Sequence, residues 1–191
     1  MKKTLYLVRH GQTLFNLRHK IQGHCDSPLT ELGIQQALAA ASFFESIELD
    51  HAYSSSSERA CDTVELILNK RLPYHRLKGL KEMSFGTFEG ESEDLNPKDR
   101  DRFEDFFVPY GGESRNEVKK RMVETLTSIM ENDHHHSVLA VSHAGASMGF
   151  LSQWEEPRDV LPKGFPNGTI LVFDYEDLIF NFKDVIYPNV D

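Results

Sequence analysis

Leu7-Val8-Arg9-His10-Gly11-Gln12-Thr13 is the stretch on which the fold of this 191-residue chain turns. It completes the run Thr4-Leu5-Tyr6-Leu7-Val8, which is rich in β-forming residues and reads as a buried strand. At the end of that strand the sequence switches to a cation, an imidazole and a glycine. Ligands of open α/β sheets bind in the crevice beyond the carboxyl ends of the strands. A His-Gly corner there offers a nucleophile, and the arginine beside it can hold an anion. A chance Arg-His-Gly on a surface loop is the plainer alternative.

Two further segments repeat the pattern. Val138-Leu139-Ala140-Val141-Ser142 is a second apolar run, and it also ends in a histidine and a small turn, His143-Ala144-Gly145. Ala52-Tyr53-Ser54-Ser55 is a short strand candidate, after which Ser56 or Ser57 can cap a helix beginning near Glu58. Arg59 then falls in the first turn of that helix, near its partly positive end. Two histidines and two arginines at strand ends make a site for a dianion, of which phosphate is the obvious one.

These blocks, with others in the same order, resemble the histidine phosphatase superfamily in its phosphoglycerate-mutase-like branch. The resemblance runs through Arg9-His10-Gly11-x-Thr13-x-x-Asn16 and Leu29-Thr30-x-x-Gly33-x-x-Gln36-Ala37. It continues in Ser56-x-x-Arg59-Ala60-x-x-Thr63, Glu82-x-x-x-Gly86-x-x-Glu89-Gly90, Gly112-Glu113-Ser114 and Ser142-His143. It implies a phosphohistidine mechanism. His10 would attack phosphorus in its neutral form, and neighbouring cations favour that form. Arg9, Arg59 and His143 would bind the phosphoryl oxygens, because phosphoryl transfer rests on positioning and electrostatics. Glu82 would be the general acid, Asn16 would add a hydrogen bond, and Gly11 and Ala144 would adjoin the phosphate. Glu89 and Glu91 lie close to Glu82, and a surface role is the default for any of the three. Family members commonly carry glycine directly after the second histidine. Here Ala144 stands there, strained only if its φ is positive.

Composition is compatible with an enzyme of this kind. A hydrophobic content of 39% in 191 residues supports one full-sized domain, residues 1–191. The formal net charge of −9 disfavours nonspecific binding to nucleic acid and anionic membranes, and the resemblance implies a small phosphorylated metabolite as the partner. Two cysteines, Cys25 and Cys61, make neither a disulfide framework nor a metal motif, and no cofactor is implied. The N-terminus runs straight into the first strand without a signal-peptide core, and no apolar stretch is long enough to span a bilayer. A cytoplasmic monomer or homodimer is expected.

Strands and helices alternate without internal repeats. Helices are expected over residues 30–44, 58–69 and 113–132, and further strands over 137–141, 169–175 and 178–182. The last two, joined by Glu176-Asp177, suggest a hairpin at the sheet edge. The expected fold class is α/β, a three-layer α/β/α sandwich whose mostly parallel sheet ends in an antiparallel edge. Residues 91–112 are polar, broken by Pro97 and Pro109, and carry Phe103, Phe106 and Phe107; they would cap the site. The resemblance implies that a phosphoglycerate mutase would need a longer insertion with a basic pair. Lys98, Arg100 and Arg102 could substitute for it, but they alternate with acids and read as an exposed, self-neutralising helical face. A phosphatase is therefore favoured over a mutase. A non-catalytic phosphate-binding module is the alternative of another class. His134-His135-His136 reads as a solvated turn rather than a metal site.

Overall fold

The computed structural model describes residues 2–99 and 103–190. Six strands form one sheet: β1 (Lys3–Arg9), β2 (His51–Ser55), β3 (His75–Leu77), β4 (Ser137–Ser142), β5 (Ile170–Glu176) and β6 (Ile179–Ile186). Their spatial order is β3-β2-β4-β1-β5-β6. The first four run parallel, and β5 and β6 complete the sheet as antiparallel neighbours. The helices are α1 (Leu14–Leu17), α2 (Glu31–Phe43), α3 (Glu58–Leu68), α4 (Arg115–Met130), α5 (Ala144–Leu151) and α6 (Pro157–Val160).

Alternation along the central strands builds the three layers. Leu5 and Leu7 of β1, with Val138 and Ala140 of β4, pack on Met122, Leu126 and Phe150 from α4 and α5. Val8, Leu139 and Val141 face the other way, onto Ala40, Val64 and Ile67 from α2 and α3. The expected sandwich with an antiparallel edge is what forms. In α4 the buried residues Val118, Met122, Leu126 and Ile129 follow the helical spacing read from the sequence. A capping box between Ser114 and Glu117 starts that helix.

Several elements depart from the sequence reading. The hairpin turns at Asp177 and Leu178, both with positive φ, one residue later than expected, and β6 runs on to Ile186. Strand β3 and helix α5 were not anticipated. Residues 103–110 are not an α-helix but turns and short 3-10 segments, with Val108–Tyr110 one of them. Lys98 is exposed, while Arg100 and Arg102 lie outside the described residues. His135 is not solvated: it is buried, stacks on His51 at 3.8 Å, and its Nδ1 bonds the Ile129 carbonyl at 2.6 Å. Its neighbours His134 and His136 are exposed. Among the described residues no three His, Cys, Asp or Glu side chains converge on a metal position.

Candidate active site

Strand register brings the histidines together. Arg9 pairs with Ser142, so His10 and His143 follow side by side beyond the carboxyl ends of β1 and β4, their ring centroids 5.1 Å apart. Strand β2 pairs alongside, with Ser54 opposite Val141, and so delivers Ser55 to the same end. Helix α3, entered two residues later, supplies Arg59. His10, Arg59 and His143 are 3%, 1% and 0% exposed.

Hydrogen bonding fixes how each ring presents itself. His10 Nδ1 lies 2.7 Å from the Gly11 carbonyl, which accepts only, so Nδ1 carries the proton and Nε2 keeps its lone pair. Arg59 Nε approaches that Nε2 at 3.4 Å. His143 Nε2 lies 2.7 Å from Ser55 Oγ, which itself receives the Ser57 N–H. With the serine hydroxyl donating to Nε2, the neutral ring carries its proton on Nδ1, which has no partner in the protein. Burial, then the nearby Arg59 and Arg9 charges, drive His10 well below the usual imidazole range. His143 is lowered likewise, by burial first and then by Arg59. Both rings are neutral at physiological pH.

The arginines are held differently. Arg9 reaches the Phe165 carbonyl through Nη1, while its buried Nε has no acceptor. Burial lowers its pKa from the ordinary value. Arg59 is clamped by Asp26 Oδ1 at 2.8 Å and by the Gly23 and Cys25 carbonyls, each at 2.8 Å. Asp26 also takes the Glu58 N–H at 2.6 Å and so caps α3 from outside. Ser57 sits at the cap position but its hydroxyl is buried without a partner. Asp26 escaped the sequence reading because nothing local links it to a helix starting 32 residues later.

Glu82 is 8% exposed and belongs to the same cavity. Its Oε1 accepts the Met83 and Ala146 N–H groups at 2.8 and 2.7 Å, and its Oε2 accepts that of Gly145 at 2.9 Å. The carboxylate thus sits on the N-terminus of α5, where backbone N–H groups lack helical partners. Arg121 fixes the main chain beneath it by donating to the Lys81 and Glu82 carbonyls, and is itself gripped by Glu113 at 2.7 and 2.8 Å. Glu89 has another task. It receives the His24, Cys25 and Phe85 N–H groups, tying two loops together, and neither it nor Glu91 lines the cavity.

Asn16 lines the cavity, its Oδ1 engaged by Thr13 at 3.1 Å. Ala144 lines it too, as the first residue of α5, and its φ is not positive, so the missing glycine costs no strain. Glycine is needed at the next position instead, since a Cβ on Gly145 would stand 2.7 Å from Glu82 Oε1. Gly11 is not brought to the cavity wall. Its N–H goes to Thr63 Oγ1 at 3.1 Å, and a Cβ there would collide with the Gly33 carbonyl at 2.3 Å. Its part is to let the His10 corner pack against α2.

Comparison with known proteins identifies the family. The model of the histidine phosphatase superfamily (branch 1) matches residues 5–185. "Probable phosphoglycerate mutase GpmB" of Proteus mirabilis is 36% identical over 156 residues, covering 77% of this chain and 72% of that one. The adenosylcobalamin/alpha-ribazole phosphatase of Escherichia coli K12 is 32% identical over 149 residues, 74% of this chain and 73% of its own. The crystal structure of a phosphoglycerate mutase from Bacillus anthracis superposes with a TM-score of 0.86 at 26% identity, covering 96% and 92% of the two chains. The chain belongs to the histidine phosphatase superfamily, branch 1.

Proposed function

We propose that this protein is a metal-independent phosphatase that hydrolyses small phosphomonoesters through a phosphohistidine on His10. One observation carries the reading. Arg9 Nε is a buried donor with no acceptor and His143 Nδ1 a buried nitrogen with no partner, set around an imidazole whose Nε2 lone pair meets Arg59 Nε at 3.4 Å. An unmet buried donor costs roughly 1–3 kcal/mol, and a phosphoryl group supplies acceptors for both.

In the reaction His10 Nε2 attacks phosphorus as the ester P–O bond breaks. Arg9, Arg59 and His143 take the charge that accumulates on the phosphoryl oxygens. Glu82 gives a proton to the leaving oxygen; its Oε2 accepts a single N–H, which leaves room for that proton. Water then attacks the phosphohistidine, Glu82 recovers a proton, and inorganic phosphate leaves. Positive charge comes from the arginines, so no metal is required. Residues 1–191 act as one domain, with residues 91–112 capping the cavity and setting substrate choice. Relatives named as phosphatase and as mutase support the same chemistry with different acceptors.

The test is phosphate release in EDTA from a panel of small phosphomonoesters, with 3-phosphoglycerate and a bisphosphate primer assayed for isomerisation. Release without isomerisation is expected, together with an acid-labile phosphoprotein that His10→Ala cannot form. Isomerisation without release would make the protein a mutase. Parent-rate hydrolysis by His10→Ala would overturn the mechanism.

A further inference from the structure

Residues 161–169 join α6 to β5 and pass beside His10, where none of them lines the cavity. Pro166-Asn167-Gly168-Thr169 forms a β-turn there, closed by the Thr169 N–H on the Pro166 carbonyl at 3.3 Å. The turn is fastened to the end of β1 through Arg9. The Arg9 N–H donates to the Thr169 carbonyl at 3.0 Å, its carbonyl accepts the Gly168 N–H at 3.1 Å, and its Nη1 reaches the Phe165 carbonyl. From that anchored turn one side chain extends to the site. Half-buried Asn167 donates from Nδ2 to the His10 carbonyl at 2.9 Å, and the same Nδ2 lies 3.4 Å from Asn16 Oδ1. A carbonyl only accepts, so the orientation of this amide is settled.

The His10–Gly11 peptide is therefore held at both ends. Thr63 Oγ1 takes its N–H at 3.1 Å, and Asn167 donates to its carbonyl. The next carbonyl, that of Gly11, accepts His10 Nδ1–H and so aims the ring. Main-chain position and ring direction are linked in this way, and Asn167 is the only side chain on the His10 carbonyl among the described residues. Asn16 depends on it less, since the Thr13 N–H holds the same Oδ1 at 3.1 Å.

We infer that Asn167 is a positioning residue for phosphoryl transfer, holding the peptide after His10 so that Nε2 stays in line with the phosphorus. This rests on the phosphatase reading and adds to it a residue from outside the cavity. Reacting atoms must meet at about 3–3.5 Å, and a misplacement of about 1 Å costs on the order of 10²-fold in rate. Loss of the donor behind the nucleophile is thus felt in the chemical step rather than in binding, which Arg9, Arg59 and His143 carry.

Two variants test this on p-nitrophenyl phosphate, with circular dichroism to confirm that each folds. Asn167→Ala should lower kcat by about tenfold or more. Its KM, and its Kd for inorganic phosphate by calorimetry, should stay at the parent values. Asn167→Asp keeps the size and turn preference of asparagine but has no side-chain N–H to give, so it should lose at least as much kcat. It also carries the test if the alanine variant does not fold. Parent-like kcat in Asn167→Asp would reduce the residue to a turn former and overturn the inference. So would a loss confined to KM and phosphate affinity in Asn167→Ala, which would place the effect at Asn16. Neither result touches the phosphatase reading, which fails if the parent protein hydrolyses no ester. The rate at which phosphoramidate phosphorylates His10 would then decide: slower labelling in both variants supports the inference, and equal or absent labelling refutes it.

Discussion

Glu82 and Gly145 depend on each other atom by atom. A methyl group at position 145 would stand 2.7 Å from Glu82 Oε1, closer than van der Waals contact allows, so Gly145→Ala must displace the carboxylate. General acid catalysis is worth about 10²- to 10⁴-fold. Gly145→Ala should therefore slow alkyl phosphates by about 10²-fold, and p-nitrophenyl phosphate, which needs little protonation on leaving, far less. Steady-state rates on both esters check this, and equal losses would remove Glu82 from the role of acid. His10 yields a second prediction. Its pKa is depressed on folding, so the unfolded chain binds the proton that the folded chain refuses. Stability from this source is complete above roughly pH 6.5 and is lost as pH falls toward the depressed value, by up to about 1.4 kcal/mol per pH unit. Urea titrations of parent and His10→Ala between pH 5 and 6.5 should show the variant's slope smaller by up to that amount. Residues read at strand ends, His10, Arg9 and His143, were legible because a strand followed by an abrupt polar switch is a local signal. Gly145, Ser55 and Asp26 were not, since each matters through a neighbour remote in the chain.

Helix α3 takes its start from another part of the chain. Its cap is the Asp26 carboxylate, which also holds Arg59, so one side chain couples the start of the helix to the proposed anion cradle. Asp26→Ala should cost about 1–2 kcal/mol by chemical denaturation. It should also weaken inorganic phosphate binding by calorimetry, because Arg59 loses the carboxylate that aims it. Unchanged phosphate affinity would show that the carbonyls of Gly23 and Cys25 suffice. The amphipathic helices α2, α3 and α4 were readable from spacing, and five of the six strands from their apolar or β-branched runs. Strand β3 has three residues, two of them exposed, and offers no pattern. Helix α5 contains two glycines, a poor composition for a helix, and owes its place to burial and to the Glu82 carboxylate at its N-terminus. The edge hairpin was visible in outline but not in register, because its turn uses Asp177 and Leu178 at positive φ where the usual Asn-Gly signal is missing.

Across the whole molecule a net charge of −9 coexists with a cavity whose floor is cationic. The groups around that floor come from β1, α3, α5 and the loop bearing Glu82, so a bound anion links segments spread over the chain. Inorganic phosphate or vanadate at a hundredfold excess over its Kd should stabilise the fold by about 2.7 kcal/mol, roughly 5–10 °C in Tm. Calorimetric scans should show the shift much reduced in Arg9→Gln. A full shift in that variant would place the anion elsewhere. The order of the sheet bears on how the protein is born. Strand β1 leaves the ribosome first, yet both its neighbours, β4 and β5, lie in the last third of the chain. Its backbone and the His10 corner must wait unpaired through most of synthesis, and pairings between such distant segments close slowly. A nascent chain ending before about residue 176 lacks the second partner of β1, since β5 is unfinished although β4 is complete from Ser142. Phosphate binding in stalled chains of graded length should accordingly switch on abruptly once β5 has emerged and can pair with β1.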